Sequence, residues 1–160
     1  MQKELISEHG YKKYVKEFKN LVEIEKPYWV KEKEIAAQHG DRSENAEYIS
    51  AKEMIRNIDK RLRFLEKIIN NSTVVETQKI SHKKVNIGSQ VKVLDLDNDI
   101  EKEYVIVGTY ETNPNESKIS NKSPLGKILL GKEIGEEFEF NINEQSFEYE
   151  ILDIKMYEFK

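Results

Sequence analysis

The sequence contains no cysteine, only one tryptophan and three prolines, and no long hydrophobic run. Without cysteine the chain has no disulfide, no thiolate metal site and no cysteine nucleophile. No apolar segment approaches the roughly 18 residues that a membrane span needs. The polar N-terminus, MQKELISEHG, has no apolar core of signal-peptide length. We therefore expect a soluble cytoplasmic protein with no membrane partner.

Hydrophobic residues are also scarce, at 38% of the chain, whereas charged residues reach 35%. Typical globular domains have roughly 45–50% and about 25%. Such a lean apolar content suits an elongated helical hairpin, in which each helix buries one stripe. The net charge of −4 gives no global reason to expect nucleic-acid binding, so any such contact must come from a local basic patch.

The N-terminal half has the 3–4 spacing of apolar residues that indicates a helix. Ser7 is the expected N-cap, and Pro27 should kink or restart the helix. Gly40 is the expected stop. The predicted buried stripe consists of Tyr11, Tyr14, Phe18, Leu21, Tyr28 and Ile35.

A second helix follows, with a heptad seam held for three repeats. The short bend between the two helices predicts an antiparallel coiled-coil hairpin about 40 Å long. Asn70 to Ser72 should end the second helix. Its seam residues are Tyr48, Ala51, Ile55, Ile58, Leu62, Leu65 and Ile69.

Beyond Gly88 the apolar period changes to 2, which predicts strands. Ser123 and Pro124 have the N-cap and first-position signature of a short helix, and a change of parity near Ile151 predicts a β-bulge. The prediction is an α+β protein: a coiled-coil domain over residues 1–76, a linker over 77–87, and an antiparallel β domain with one short helix over 88–160.

The bend between the helices, GDRSENAEY, carries two carboxylates, Asp41 and Glu44. Their spacing alone favours a capping box. Two carboxylates do not complete a Mg²⁺ site, because Mg²⁺ takes octahedral oxygen coordination. If Asp41 and Glu44 bind metal, the site is half of a centre that another molecule completes.

Five cations line one face of the second helix and form what we call the basic stripe. Like charges four residues apart cost roughly 0.2–0.5 kcal/mol per pair, and a merely solvated helix face usually alternates in sign. The stripe therefore predicts a track for a phosphate backbone. Its members are Lys52, Arg56, Lys60, Arg63 and Lys67.

The motif GDRSENAEY at a coiled-coil tip, followed by the basic stripe, resembles the bacterial Gre transcript cleavage factors. The run SPLGKILLGKE, from Ser123 to Glu133, is similar as well, and the likeness extends over almost the whole chain. Arg42, Ser43 and the unbroken stripe look more like GreB than GreA.

The resemblance implies an FKBP-like second domain without isomerase activity, and a monomer that binds bacterial RNA polymerase. The coiled coil would enter the secondary channel, where Asp41 and Glu44 would help to hold a catalytic Mg²⁺ shared with the polymerase. The polymerase itself would then cleave backtracked RNA. The basic stripe would hold the 3′ segment of the nascent RNA, and Ser123 and Pro124 would contact the polymerase.

Three alternatives remain open at the level of sequence. One is a secondary-channel binder that regulates the polymerase without promoting cleavage. Another is a coiled-coil chaperone or adaptor, in which Asp41 and Glu44 would only cap a helix. The third is a prolyl isomerase acting through the second domain.

Overall fold

The computed structural model describes residues 3–40 and 45–160. By its internal contacts the chain divides into two units. We call Tyr11–Asn71 the hairpin unit, and Met1–Gly10 together with Ser72–Lys160 the sheet unit. No helix among the described residues is long and apolar enough to cross a membrane.

The hairpin unit contains most of α1 (Glu8–Asn20), a π-helical turn (Leu21–Glu25), α2 (Lys26–Ala37) and α3 (Ala46–Asn70). α2 packs against α3, and the predicted helical hairpin is confirmed. Its core is built from three buried side chains with four partly buried ones packed around them. These are Leu21, Ile58 and Leu65, surrounded by Tyr14, Phe18, Trp29 and Leu62.

The predicted stripe of the first helix is correct as far as Leu21 and wrong after it. Tyr28 and Ile35 are 54% and 41% exposed, whereas Trp29 packs on the core and Ala36 is buried. The π-helical turn explains the shift, because it adds one residue to a helical turn and so moves the buried face one position along the chain.

The π-helical turn lies just before Pro27, the proline expected to disturb this helix. The N–H of Lys26 bonds to the carbonyl of Leu21, five residues back, and Pro27 has no N–H with which to continue the α-helical pattern. The chain therefore restarts as α2 with proline in its first turn, which confirms the predicted restart.

The sheet unit contains a two-stranded parallel sheet made of β1 (Glu4–Ser7) and β2 (Ser72–Val75). Its second sheet has five strands in the order β5-β4-β3-β7-β6. They are β3 (Ser89–Asp95), β4 (Ile100–Val107), β5 (Lys118–Ser120), β6 (Glu137–Ile142) and β7 (Gln145–Met156).

This five-stranded sheet is mixed rather than wholly antiparallel, because β5 pairs with β4 in the parallel sense. The expectation of an antiparallel domain is thus wrong for this edge, and the α+β class is confirmed. β5 returns parallel because the chain passes through two 3₁₀ turns, Thr109–Glu111 and Pro114–Glu116, before it pairs.

Two local predictions for the sheet unit hold. The register between β3 and β7 shifts where Lys92 and Val93 face Asp153 and Ile151, which leaves Leu152 as the extra residue of the predicted bulge. The short helix α4 (Pro124–Leu129) begins after Ser123, whose hydroxyl accepts a hydrogen bond from the N–H of Gly126 at 3.0 Å.

The contact division differs from the predicted domain boundaries. β1 pairs with β2, so the first residues of the chain belong to the sheet unit. In the predicted linker, Thr77, Val85 and Ile87 are buried, and Val85 exchanges backbone hydrogen bonds with Gly131 and Lys132. An irregular segment shows no periodicity even when it is packed, so this signal does not separate a linker from a buried loop.

Candidate functional site

The two predicted metal-binding carboxylates, Asp41 and Glu44, lie outside the described residues. The structure describes the chain on both sides of them: Gly40, whose φ is +130°, and Asn45, the N-cap of α3. Across residues 3–40 and 45–160, no group of three or more histidine, aspartate or glutamate side chains is placed to hold a metal ion.

Asn45 supplies the N-cap of α3. Its side-chain oxygen accepts hydrogen bonds from the N–H groups of Glu47 and Tyr48, both at 3.1 Å. Its side-chain nitrogen donates to the carbonyl of Ala36 at 2.6 Å, near the end of α2. One side chain thus connects the ends of both helices at the base of the tip.

The cap of α3 is supplied by Asn45 and not by the two carboxylates before it in the sequence. A capping box at Asp41 and Glu44 would explain these acids as the start of the second helix. α3 instead begins at Ala46 and is capped by Asn45, so its first turn is satisfied without that box. The asparagine directly before a helical segment was the available sequence signal, because Asn is among the best N-cap residues.

The five residues of the basic stripe lie together along α3 and are all exposed. The last member, Lys67, lies 15 residues after the first, Lys52, which corresponds to about 22 Å along the helix. Among the ion pairs that the described residues make with one another, only Arg56 of the stripe takes part, donating to Glu53 at 2.8 Å. The prediction of a one-sided cationic face on the second helix is thus confirmed in its geometry, and its RNA-binding role stays a prediction.

Two other charged residues of α3 pair with the neighbouring helices and not with the stripe. Asp59 pairs with Lys26 of α2 at 2.6 Å. Arg61 binds Glu17 of α1 through two hydrogen bonds, at 2.6 and 2.9 Å. These pairs connect α3 to the other helices of the hairpin unit, and the stripe is left with an excess of positive charge.

An open groove of about 670 Å³ adjoins the first part of the stripe. Its lining combines two cations, two carboxylates and three apolar or aromatic residues, and the carboxylates Glu53 and Asp59 are paired with Arg56 and Lys26. The lining residues are Tyr48, Ile49, Lys52, Glu53, Ile55, Arg56 and Asp59. Cationic groups beside apolar and aromatic surface are the combination with which proteins bind single-stranded nucleic acid.

The two residues of the predicted polymerase contact, Ser123 and Pro124, differ in their hydrogen bonding and exposure. The hydroxyl of Ser123 is engaged twice, because it caps α4 and also donates to the carbonyl of Ser120 at 2.6 Å. Pro124 is exposed. Next to them, the ammonium of Lys122 pairs with Glu4 at 2.8 Å.

His82 and Ser89 resemble a base and a nucleophile by distance alone, with Nδ1 and Oγ 2.6 Å apart. Nε2 of His82 lies 2.7 Å from the carbonyl of Thr77 and donates its N–H to it. Ser89 is fully buried and out of reach of a substrate. The pair therefore fixes the segment between β2 and β3.

Family models of transcription elongation factors match both halves of the chain. A family model described as "Transcription elongation factor, N-terminal" matches residues 4–74. A second one, "Transcription elongation factor, GreA/GreB, C-term", matches residues 80–156.

Individual relatives align over nearly their whole length. Transcription elongation factor GreA of Helicobacter pylori strain Shi470 is 46% identical over 96% of this chain and 94% of its own. GreA of Wolinella succinogenes is 43% identical over 96% and 95%. Among solved structures, GreA factor homolog 1 of Thermus thermophilus covers 96% of this chain and 99% of its own, with 22% identity and a TM-score of 0.45.

Proposed function

The chain belongs to the GreA/GreB family of transcription elongation factors, and we propose that it stimulates RNA polymerase to cleave backtracked RNA. In this proposal the hairpin unit enters the secondary channel of the polymerase and carries Asp41 and Glu44 to the active site. The protein acts in the cytoplasm as a monomer and supplies part of a catalytic centre rather than a whole one. It is therefore not an enzyme by itself.

The basic stripe is the observation that carries this proposal. It consists of exposed cations on α3, and it begins about two helical turns after Asn45, the residue that follows Glu44 in the sequence. RNA held along these cations by its phosphates would reach the tip at the end where Asp41 and Glu44 stand in the sequence. A chaperone or adaptor has no need of a one-sign helix face leading to two acids.

The donor set fits a shared Mg²⁺ site. Asp41 and Glu44 are oxygen ligands of the kind that Mg²⁺ prefers, and Mg²⁺ usually takes one or two carboxylates together with phosphate oxygens and water. An ion held by these carboxylates would belong to a two-metal centre, in which the pair of ions would stabilise the attacking and leaving oxygens of a phosphodiester. The part of this chain would be to present the two carboxylates, and α3 has its N-cap in Asn45.

The relatives named above are GreA proteins, while the tip residues Arg42 and Ser43 look more like GreB. The family models cover both groups, so the GreB-like character stays a prediction. Pro124 is the exposed residue at the expected polymerase contact, and we assign it the contact, with Ser123 holding the loop in shape.

A stalled, backtracked elongation complex tests the proposal. The wild type should release short 3′ RNA fragments. A variant carrying Asp41→Asn and Glu44→Gln should bind the polymerase but lose stimulation by roughly 10²-fold or more, since preorganised charge at a reacting centre contributes on this scale. The matched control, Glu32→Gln with Glu34→Gln on α2, removes two carboxylates away from the tip and should keep full activity.

Two outcomes would contradict the proposal. If the wild type binds the polymerase but releases no fragments, the protein regulates without promoting cleavage. If titration calorimetry shows tight, stoichiometric Mg²⁺ binding by the isolated protein, the metal site is complete within this chain and the shared-site mechanism is wrong.

A further inference from the structure

Five large hydrophobic side chains lie exposed on one side of the hairpin unit. We call this set the apolar face, and each of its members is 36–64% exposed. In the described part of the hairpin unit only two other large hydrophobic side chains, Val22 and Ile49, are exposed. The members of the apolar face are Ile24, Tyr28, Ile35, Met54 and Phe64.

The two members on α3 lie across the heptad seam from the basic stripe. Each step of one residue turns an α-helix by about 100°. Met54 and Phe64 each directly precede a seam residue. Lys52, Arg56 and Arg63 of the basic stripe each directly follow one. The apolar face and the basic stripe are therefore on opposite sides of α3.

The members on α2 fall on the same side as those on α3. The packed residues of α2 are Trp29 and Ala36, which Tyr28 and Ile35 directly precede. Ile24 is four residues before Tyr28 and so shares its face. In an antiparallel pair, residues that precede the seam lie on the same side of both helices, because the two-fold rotation that exchanges the helices preserves the two sides.

Two ion pairs between the helices support this division. Asp59 pairs with Lys26 at 2.6 Å, and Asp59 lines the groove beside the basic stripe. Arg61 binds Glu17 at 2.6 Å, and its guanidinium lies 5.2 Å from the centre of the Phe64 ring. One pair is therefore on the side of the basic stripe, and the other is on the side of the apolar face.

The charges around the apolar face indicate the kind of partner that it fits. Arg61 is paired with Glu17, and the neighbouring Lys31 and Glu32 of α2 have opposite signs. A phosphate backbone is attracted by an excess of cations, which this face does not have. Its complement is an apolar protein surface with little net charge.

The size of the apolar face argues against a second copy of this chain as the partner. A large side chain offers about 200 Å² when fully exposed, so five that are about half exposed offer on the order of 500 Å². A stable interface buries about 800 Å² on each partner. An apolar patch of roughly 300–600 Å² is nevertheless often functional, and it fits a contact that supplements others.

We propose that the apolar face is a docking surface for an apolar protein surface of RNA polymerase, so that the hairpin unit holds RNA on one side and the polymerase on the other. This inference rests on the proposed function, in which the hairpin unit enters a channel whose wall is protein. A contact across the seam from the basic stripe leaves the cations free for RNA.

A matched pair of variants in the π-helical turn tests the inference. Ile24→Gln removes a member of the apolar face, and Val22→Gln makes a similar change about half a turn around the helix. The affinity of each labelled protein for core RNA polymerase without RNA is measured by fluorescence anisotropy. Burial of one large apolar side chain raises affinity roughly tenfold or more. Ile24→Gln should therefore bind roughly tenfold more weakly, and Val22→Gln should bind like the wild type.

A second variant, Tyr28→Gln with Ile35→Gln, removes two further members and should also weaken binding at least tenfold. It decides the question if circular dichroism shows that Ile24→Gln does not fold. Folded variants that bind core polymerase as tightly as the wild type would show that the inference is wrong. A loss of affinity that appears only with backtracked RNA present would mean that the face contacts RNA, which also contradicts the inference.

The absence of cysteine allows the partner to be identified directly. A photoreactive benzophenone is attached to Met54→Cys, and the protein is irradiated in a backtracked elongation complex. The expected crosslink joins Met54→Cys to a polymerase subunit, whereas the same probe at Lys60→Cys in the basic stripe should reach RNA. A crosslink from Met54→Cys to RNA or to a second copy of this chain would overturn the inference.

The cleavage assay separates this inference from the proposed function. At saturating concentration Ile24→Gln should cleave at the wild-type rate, while its half-maximal concentration rises roughly tenfold. If the wild type binds the polymerase but releases no RNA, the proposed function is wrong, and the affinities still decide the role of the apolar face. If the wild type promotes cleavage and folded Ile24→Gln matches its affinity, only the inference is wrong. A wild type that does not bind the polymerase contradicts both.

Discussion

Arg61 of α3 and Glu17 of α1 form a two-pronged ion pair within the hairpin unit, with Nε 2.6 Å from Oε2 and Nη2 2.9 Å from Oε1. The hydrogen bond from Arg61 lowers the pKa of Glu17, although burial opposes this. The same bond raises the pKa of Arg61. The pair connects helices that are far apart in the sequence.

We expect Glu17→Gln to lower the free energy of unfolding by about 0.5–1 kcal/mol at neutral pH, the upper part of the range for partly exposed pairs. A carboxylate with a depressed pKa stabilises the fold above its unfolded-state pKa of about 4.3, and this contribution disappears as the pH falls through the folded-state pKa. Urea unfolding followed by the fluorescence of Trp29 measures the difference. If Glu17→Gln lowered the free energy of unfolding by the same amount at about pH 2–3, the ion pair would not be the cause of the difference.

Tyr28 and Trp29 are adjacent aromatic residues of α2 with opposite expected effects. Trp29 packs on Leu21, Ile58 and Leu65, while Tyr28 is 54% exposed. Trp29→Ala should therefore lower the free energy of unfolding by about 2–3 kcal/mol, somewhat less than truncation of a fully buried tryptophan. Tyr28→Ala should cost less than about 1 kcal/mol. Urea unfolding followed by far-UV circular dichroism compares the two, and equal losses would show that the π-helical turn does not shift the buried face.

This pair also shows why the sequence predicted one helix better than the other. Every seam residue predicted for α3 is buried or half-buried, because no irregular turn interrupts its heptads. In the first helix the spacing fails after Leu21, since the extra residue of a π-helical turn has no signature in apolar spacing. Pro27 indicated that the helix was disturbed, but not that one residue was inserted.

In the sheet unit and at the site, too, the spacing of residues predicted some features and not others. Period-2 alternation predicted β3, β6 and β7, but a strand of three residues, Lys118–Ser120, carries no information on direction, so the parallel β5 was missed. The spacing of cations predicted the basic stripe, since helical geometry alone brings these residues together. The cap by Asn45 depends on the exact start of a helix, and the hydrogen bonds from Ser7 to Glu111 join residues far apart along the chain.

Like charges face each other across β6 and β7, where Glu139 pairs in register with Glu148 and Glu137 with Glu150. Directly opposite like charges destabilise a sheet by some tenths of a kcal/mol. Glu148→Lys should therefore raise the free energy of unfolding by roughly 0.2–1 kcal/mol, and added salt should reduce the gain. Thermal unfolding of the wild type and of Glu148→Lys at low and high salt measures both the gain in stability and its dependence on salt. Glu158→Lys in the C-terminal tail makes the same charge change without a facing glutamate, and an equal gain from it would attribute the effect to net charge.

The basic stripe is tested by salt dependence, because each phosphate contact with a single strand contributes about 0.7 to the slope of log affinity against log salt. Lys60→Gln with Arg63→Gln removes two cations from the middle of the stripe. If both contact RNA phosphates, this variant should reduce the slope by about 1.4, measured as the salt dependence of half-maximal transcript cleavage. Lys31→Gln with Lys33→Gln removes the same charge from α2, outside the stripe, and should leave the slope unchanged. Equal slopes for both variants would mean that the protein's net charge, and not the stripe, attracts the RNA.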